Sequence, residues 1–210
     1  MRPWALRRAR ALRRRFAGER GYALPELITA MAILTIVIGG LGDIFVSASH
    51  AEIDMNSRFQ AQQQALIGLD KLRREVHCAS AVTQVGGSAL VSSGLYSAIT
   101  LTLPSSCVTG NGSATWCVVA NGSKFDLYRY ASTSCSGTGR RWTSSVMNPH
   151  PFSVPCSLPS SAYLAMLHVD LPVNVTSGAT YTAPTCSTSA TASAKTYRLV
   201  DDMVLRNASR

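Results

Sequence analysis

An uncharged apolar stretch near the N-terminus constrains this chain more than any other feature. Residues 27–42 carry no charge between Glu26 and Asp43. As a helix these sixteen residues extend about 24 Å at ~1.5 Å per residue, less than the ~30 Å hydrocarbon core of a bilayer. Apolar residues resume at 44–46, so a tilted helix reaches across the core. The stretch therefore predicts one membrane span within residues 22–46.

The charge distribution predicts the orientation of that span. Residues 1–21 hold eight Arg and one Glu, a charge of +7, whereas residues 22–210 hold twelve Lys or Arg against ten acidic residues, a charge of +2. A basic segment ahead of an apolar one stays in the cytoplasm. We therefore expect a single-pass protein with a cytoplasmic N-terminus and an extracytoplasmic head. Because the excess charge belongs to the leader, the basic pI is no argument for nucleic-acid binding.

Two features distinguish this N-terminus from an ordinary cleaved signal peptide. Signal peptidase requires small residues after the apolar region, and residues 39–42 match that pattern only loosely. In addition, the carboxylate of Glu26 immediately precedes the apolar run. A charge in lipid costs about 2.5–3.5 kcal/mol unless another group pairs with it.

The order of basic leader, glycine, carboxylate and apolar run has a known counterpart. Residues 21–28, G-Y-A-L-P-E-L-I, resemble the prepilin signature of type IV pilins and type II secretion pseudopilins. The resemblance implies that prepilin peptidase cuts between Gly21 and Tyr22, and that Tyr22 is the N-methylated mature N-terminus. It also implies that Glu26 pairs with the terminal ammonium of a neighbouring subunit during filament assembly. An uncleaved signal anchor is the alternative.

The segment after the span predicts a continuation of the same helix. No Pro stands between Pro25 and Pro104, so one helix over residues 24–79 is allowed. Its second part, residues 47–79, is amphipathic, and we expect its apolar residues to cover a sheet. These residues are Met55, Phe59, Leu66, Leu69, Leu72 and Val76. Polar residues expected on the other faces include Arg58, Asp70, Arg73, Arg74 and Glu75.

Strand patterns replace helix patterns in residues 80–210. Alternating segments predict strands at 98–103, 115–119, 125–130, 164–175 and 195–206. Asn121 and Gly122 predict a hairpin turn, and Pro172 predicts an edge position for its strand. Ser/Thr-rich tracts at 132–139 and 176–196 predict loops. One long helix followed by strands gives an α+β fold with an antiparallel sheet, the architecture that pilins also have.

Two further segments narrow the resemblance. Residues 69–79 and 200–207 resemble the end of the stem helix and the closing strand of J-type and PilW-like minor subunits. The resemblance implies a minor pilin or pseudopilin of a type IV pilus, a type II secretion system or a DNA-uptake pseudopilus, located in the membrane and, after assembly, in a surface filament. Its implied partners are prepilin peptidase, other pilin subunits and the membrane. The chain is then a structural subunit and not an enzyme.

Six cysteines lie on the side that we expect to be outside: Cys78, Cys107, Cys117, Cys135, Cys156 and Cys186. In an oxidising compartment an even number of cysteines predicts disulfides, here with fifteen possible pairings. Our preferred pairing joins Cys107 to Cys117, Cys135 to Cys156, and Cys78 to Cys186. A zinc site is disfavoured because no Cys-x-x-Cys motif occurs. We predict no metal and no cofactor.

Two small clusters leave other functions open. His168 and Asp170 alternate along a predicted strand and suggest an acid/base pair, although we favour two polar residues on a solvent-facing side. Arg140, Arg141 and Trp142 form a basic and aromatic cluster of the kind that binds nucleic acid. We favour a core position for Trp142 and solvated arginines. The alternative function is a membrane-anchored extracytoplasmic domain that binds a surface ligand or DNA.

Overall fold

The computed structural model describes residues 24–91, 94–107, 112–155, 165–185 and 187–207. These residues form one long helix and a large antiparallel sheet, so the α+β class is as predicted. They divide into two compact units, of which the first ends at Ile53 and the second begins at Asp54.

The helix α1 spans Leu24–Cys78 and runs through the boundary between the units. Its 55 residues agree with the predicted range of 24–79, because no proline interrupts the hydrogen-bond ladder after the first turn. At its end the amide of Ala79 still donates to the carbonyl of Glu75 at 2.8 Å. No residue of α1 before Asp54 is buried.

Eleven strands follow in the described part of the chain. They are β1 (Ala81–Gln84), β2 (Leu95–Tyr96), β3 (Ala98–Leu103), β4 (Gly112–Asn121), β5 (Lys124–Tyr130), β6 (Arg140–Val146), β7 (Phe152–Ser153), β8 (Met166–Val173), β9 (Tyr181–Thr182), β10 (Thr191–Ala192) and β11 (Tyr197–Val204). Nine of them form one sheet in the order β1-β3-β4-β5-β6-β8-β7-β2, with β11 paired to β8. Strands β9 and β10 pair separately.

The predicted strands agree well with these bounds. The alternating segment 98–103 coincides with β3, and residues 195–206 contain β11. Strands β4 and β5 pair from Thr115↔Tyr130 to Asn121↔Lys124. The turn between them has Gly122 at a φ of 63°, a conformation that glycine adopts without a steric penalty. The hairpin prediction is therefore confirmed.

Two strand-level predictions were wrong. Strand β8 is not an edge strand, because β11 pairs along one side and β6 and β7 pair on the other. Pro172 is tolerated because it lies between the part of β8 that pairs with β7 and the part that pairs with β6. Its carbonyl accepts a hydrogen bond from the amide of Met147 at 2.8 Å. The tract 176–196 is not wholly loop, because it contains the short pair β9 and β10.

The core of the second unit lies between the end of α1 and the sheet. The helix contributes Ala61, Ala65, Leu69, Leu72 and Val76, and the sheet contributes residues such as Ile99, Leu101, Trp116, Leu127, Val169, Leu171 and Met203. Strands β3, β4, β5, β8 and β11 thus all present buried side chains to this core.

Part of the predicted helical core face was wrong. Met55, Phe59 and Leu66 are 68%, 57% and 41% exposed. At about 100° of rotation per residue they form a stripe that lies roughly 100° around α1 from the buried face. The face that meets the sheet instead uses the small residues Ala61 and Ala65, which allow the backbone to approach closely.

The described disulfides correct our preferred pairing. Cys78 is bonded to Cys107, and Cys117 to Cys135, at sequence separations of 29 and 18. The pairs Cys107 with Cys117, Cys135 with Cys156, and Cys78 with Cys186 are therefore wrong. Cys156 and Cys186 lie outside the described residues.

The sheet register explains the first pairing. Strand β1 begins three residues after α1 and pairs with β3, and the amide of Ser80 donates to the carbonyl of Thr102 at 2.9 Å. The end of β3 therefore lies beside the end of α1, which brings Cys107 to Cys78.

Candidate functional site

The first unit presents an unusually apolar surface. Each large apolar side chain that the structure describes in this unit, from residue 24 onward, is more than half exposed: Leu24, Leu27, Ile28, Met31, Ile33, Leu34, Ile36, Val37, Ile38, Leu41, Ile44, Phe45, Val46 and Ile53. An 18-residue window of α1 is apolar enough to cross a bilayer, and none of it is buried. Soluble monomers rarely expose so large a contiguous apolar surface. This helix is thus a candidate single-pass membrane anchor, as predicted.

The two threonines of this segment are hydrogen-bonded to the helix itself. Thr29 Oγ1 donates to the carbonyl of Glu26 at 3.0 Å, and Thr35 Oγ1 donates to the carbonyl of Ala32 at 2.8 Å. A hydroxyl bonded in this way needs no water. The two threonines are therefore compatible with an apolar environment.

Glu26 is the charged group of the first turn of α1. Its position suits a carboxylate, because the N-terminus of a helix carries a partial positive charge. Glu26 is exposed, and within the described ranges no Lys, Arg or His forms an ion pair with it. The predicted cleavage and methylation residues, Gly21 and Tyr22, lie outside the described residues, so the roles of all three remain predictions.

The second unit contains a buried ionic cluster that the sequence analysis missed. Glu75 of α1 is completely buried, and its carboxylate accepts hydrogen bonds from Trp116 Nε1 at 2.9 Å and from Arg129 Nε at 2.8 Å. Lys71 Nζ lies 3.0 Å from the same carboxylate. The cluster joins α1 to β4 and β5. We expected Glu75 on a face of the helix other than the one that covers the sheet, and that expectation was wrong.

A second buried carboxylate lies on β8. Asp170 accepts two hydrogen bonds from Arg198, at 2.8 Å from Nε and 3.1 Å from Nη2, and one from the hydroxyl of Tyr181. Burial and this hydrogen bond raise the pKa of Tyr181 above its ordinary value. Our expectation of a solvent-facing Asp170 was therefore wrong, because residues from β9 and β11 cover it.

His168 has a separate partner. Its Nδ1 lies 2.6 Å from Asp202 Oδ1 on the adjacent strand β11, and the Asp202 side chain is 55% exposed. His168 and Asp170 lie on the same side of β8, but each is bonded to different residues. The geometry gives no support to a joint acid/base pair.

The basic and aromatic cluster lies on β6. Trp142 packs against the core, and its ring centroid is 6.2 Å from that of Trp116. The guanidinium of Arg140 lies over the Trp142 ring, 4.5 Å from its centroid. Arg141 Nη1 lies 3.3 Å from Asp126 Oδ2. A ring covered by Arg140 offers no free face there for a nucleobase, so the arrangement differs from a base-stacking platform.

An open cavity of about 230 Å³ adjoins this cluster and is lined by Gln64, Ile67, Arg140, Arg141 and Trp142.

No group of three or more His, Cys, Asp or Glu side chains suited to a metal ion occurs among the described residues. His77, the neighbour of Cys78, is hydrogen-bonded through Nδ1 to the carbonyl of Val204 at 2.8 Å.

No protein-family model, no curated protein and no solved structure matches this chain.

Proposed function

We propose that this chain is a minor pilin or pseudopilin, a structural subunit that is inserted in a membrane and then assembled into a type IV pilus or pseudopilus. One observation carries the proposal: the first 30 residues of α1 leave every large apolar side chain exposed, with Glu26 as the charged group of the first turn. The same helix continues into the core of an antiparallel head. A membrane anchor alone would need no carboxylate at this position.

The proposed mechanism follows from the cost of that carboxylate. Once cleavage after Gly21 frees an ammonium at Tyr22, a neighbouring subunit can place its own Glu26 beside it. One such pair neutralises two charges that are both costly in an apolar environment. The apolar side chains of residues 27–46 exchange lipid contacts for contacts with other helices. Assembly then keeps the apolar surface of this segment away from water.

The first experiment tests processing. The full chain would be produced in membranes with and without prepilin peptidase, and its intact mass and N-terminal sequence would be measured. We expect a chain beginning at Tyr22 only in the presence of the peptidase. A chain that retains residues 1–21 in both samples, or one cut after the apolar run, contradicts the proposal.

The second experiment tests assembly with matched variants. Glu26→Ala should still insert and be cleaved but should fail to enter filaments formed with its partner subunits. Glu52→Ala removes another exposed carboxylate from the same helix and should assemble normally. Equal assembly of both variants would leave Glu26 without the proposed role.

The second candidate is a membrane-anchored binding domain, which is favoured by the cavity beside Arg140. The same variants distinguish the two functions. An anchored binder should retain its ligand when Glu26 is replaced by Ala, because the head is unchanged. A filament subunit should lose its assembly with the same substitution.

A further inference from the structure

We infer that the cavity between α1 and β6 binds a carboxylate, supplied by an acidic side chain of a partner protein. The cavity has a volume of about 230 Å³ and is lined by Gln64 and Ile67 from the helix and by Arg140, Arg141 and Trp142 from the strand. All five belong to the second unit. The inference concerns the head and does not depend on the filament function proposed above.

The charge of the cavity is the first argument. Arg140 is exposed. Its guanidinium lies over the Trp142 ring and forms no ion pair in the part of the chain that the structure describes. Arg141 contacts Asp126 through Nη1 alone, so its other nitrogens are available. A planar guanidinium presents paired N–H groups that match the two oxygens of a carboxylate.

The indole of Trp142 is the second argument. Its Nε1 is buried and has no acceptor among the described residues. The neighbouring Trp116 shows how this chain satisfies such a donor, because its Nε1 is bonded to the carboxylate of Glu75 at 2.9 Å. A buried donor without a partner is unfavourable. A hydrogen bond from Trp142 Nε1 to a ligand oxygen therefore stabilises the complex more than the same hydrogen bond would in water. Access requires the flexible Arg140 side chain to leave the ring and move toward the ligand.

The remaining wall determines which anion fits. Ser144 Oγ donates to Gln64 Oε1 at 3.0 Å, which leaves the amide nitrogen of Gln64 as a donor. Ile67 is 56% exposed and provides an apolar contact. The free polar groups are thus all donors beside one apolar wall, a combination that suits a carboxylate carried on methylene groups. A nucleic-acid strand is disfavoured because only two cations, Arg140 and Arg141, line the cavity.

Nuclear magnetic resonance of the indole groups tests this inference on the full chain in detergent micelles. The chain has three tryptophans, and the variant Trp142→Phe identifies the Trp142 indole signal in a ¹⁵N-tryptophan-labelled sample. The probes are N-acetylglutamate N-methylamide and its neutral counterpart, N-acetylglutamine N-methylamide. We expect a saturable shift of the Trp142 signal with the glutamate probe only.

Arginine variants identify the binding group. Arg140→Gln should weaken the apparent affinity for the glutamate probe about tenfold or more, because a charged hydrogen bond is lost. Arg206→Gln changes an exposed arginine outside the cavity and should leave the affinity unchanged. Unshifted backbone signals in both variants would show that the head is still folded.

Three outcomes would overturn the inference. They are an unresponsive Trp142 signal, an equal shift with the neutral glutamine probe, and saturation by inorganic phosphate or an oligothymidylate at a lower concentration than by the carboxylate. The last outcome would assign the cavity to a phosphate-bearing ligand instead.

Discussion

Arg129 holds Glu75 through a single nitrogen, with Nε 2.8 Å from Oε1 and 3.1 Å from Oε2 of the carboxylate. Glu75 is fully buried, whereas the Arg129 side chain remains 18% exposed at the edge of the core. Together with Trp116 and Lys71, this pair fixes the last turns of α1 on β4 and β5. A buried charge so completely surrounded is costly to disturb.

Replacing Glu75 with Ala should therefore destabilise the head strongly. The substitution leaves Arg129 and Lys71 without their counter-charge and Trp116 Nε1 without an acceptor. Breaking a buried pair in this way costs about 3–5 kcal/mol. Urea unfolding of the full chain in detergent, followed by tryptophan fluorescence, would measure the loss.

The matched control is Asp70→Ala on the same helix. Asp70 pairs with Arg74 at 2.6 Å, but both side chains are at least half exposed. An exposed pair contributes about 0–1 kcal/mol, so little change in the free energy of unfolding is expected. Similar losses in the two variants would mean that burial of Glu75 carries no special energetic weight.

Gly68 should not tolerate a larger residue. A Cβ at this position would stand 2.5 Å from Thr143 Oγ1 and 3.4 Å from Trp142 Cβ. We expect Gly68→Ala to lower the free energy of unfolding by about 1–3 kcal/mol through overpacking, even though Ala is the better helix former.

Removal of the obstructing oxygen provides the control for Gly68. In the background of Thr143→Ala, the Gly68→Ala substitution should cost much less, and a double-mutant cycle would measure the coupling. Purely additive effects of the two substitutions would contradict a close contact between α1 and β6.

The two disulfides should each stabilise the head by about 3–4 kcal/mol, as the loop-closure relation gives for separations of 29 and 18 residues. Peptide mapping without reduction should recover the links Cys78–Cys107 and Cys117–Cys135. Paired Cys→Ala variants of each link should unfold at lower urea concentrations. Recovery of a Cys107–Cys117 peptide instead would contradict the described register of β3 and β4, which places Cys117 opposite Ala98 at the start of β3.

The raised pKa of Tyr181 predicts a loss of stability in alkali. Burial, followed by the hydrogen bond to Asp170, raises this pKa above its usual value near 10. The folded chain then keeps a proton that the unfolded chain has lost, so the free energy of unfolding should fall as the pH rises above about 10. Urea unfolding between pH 7 and 11 would follow this decline.

In Tyr181→Phe the alkaline decline should be shallower, and the stability at pH 7 should be lower by about 1 kcal/mol because Asp170 loses a donor. Tyr197→Phe serves as the comparison, since the Tyr197 hydroxyl has no hydrogen bond in the described part of the chain. The same decline in the wild type and in Tyr181→Phe would exclude Tyr181 as its source.

Much of the fold could be predicted because its signals are local. The absence of proline between residues 25 and 104 allowed one uninterrupted helix, and alternation of side chains located β3, β4, β5, β8 and β11. The position of β8 within the sheet could not be predicted in this way. Pro172 forbids one hydrogen bond, but only the arrangement of β6 and β7 reveals that the missing bond falls between them.

The buried polar groups were harder to predict than the strands. Glu75 stands among charged neighbours on α1, and nothing in that run separates it from the exposed Asp70. Its partners come from residues 116 and 129, which only the sheet register brings together. The candidate membrane span, by contrast, could be predicted, because it is recognised from a continuous run of apolar residues and needs no partner from elsewhere in the chain.

The bond between Cys78 and Cys107 closes the last turn of α1 onto the sheet with a covalent link. A force that pulls the helix away from the head must therefore stretch the polypeptide itself at this point, and not merely separate packed side chains. Under reducing conditions the same load would fall on the packed core between α1 and the sheet and on the ion pairs of Glu75. The oxidation state of one cysteine pair thus sets the mechanical strength of the junction.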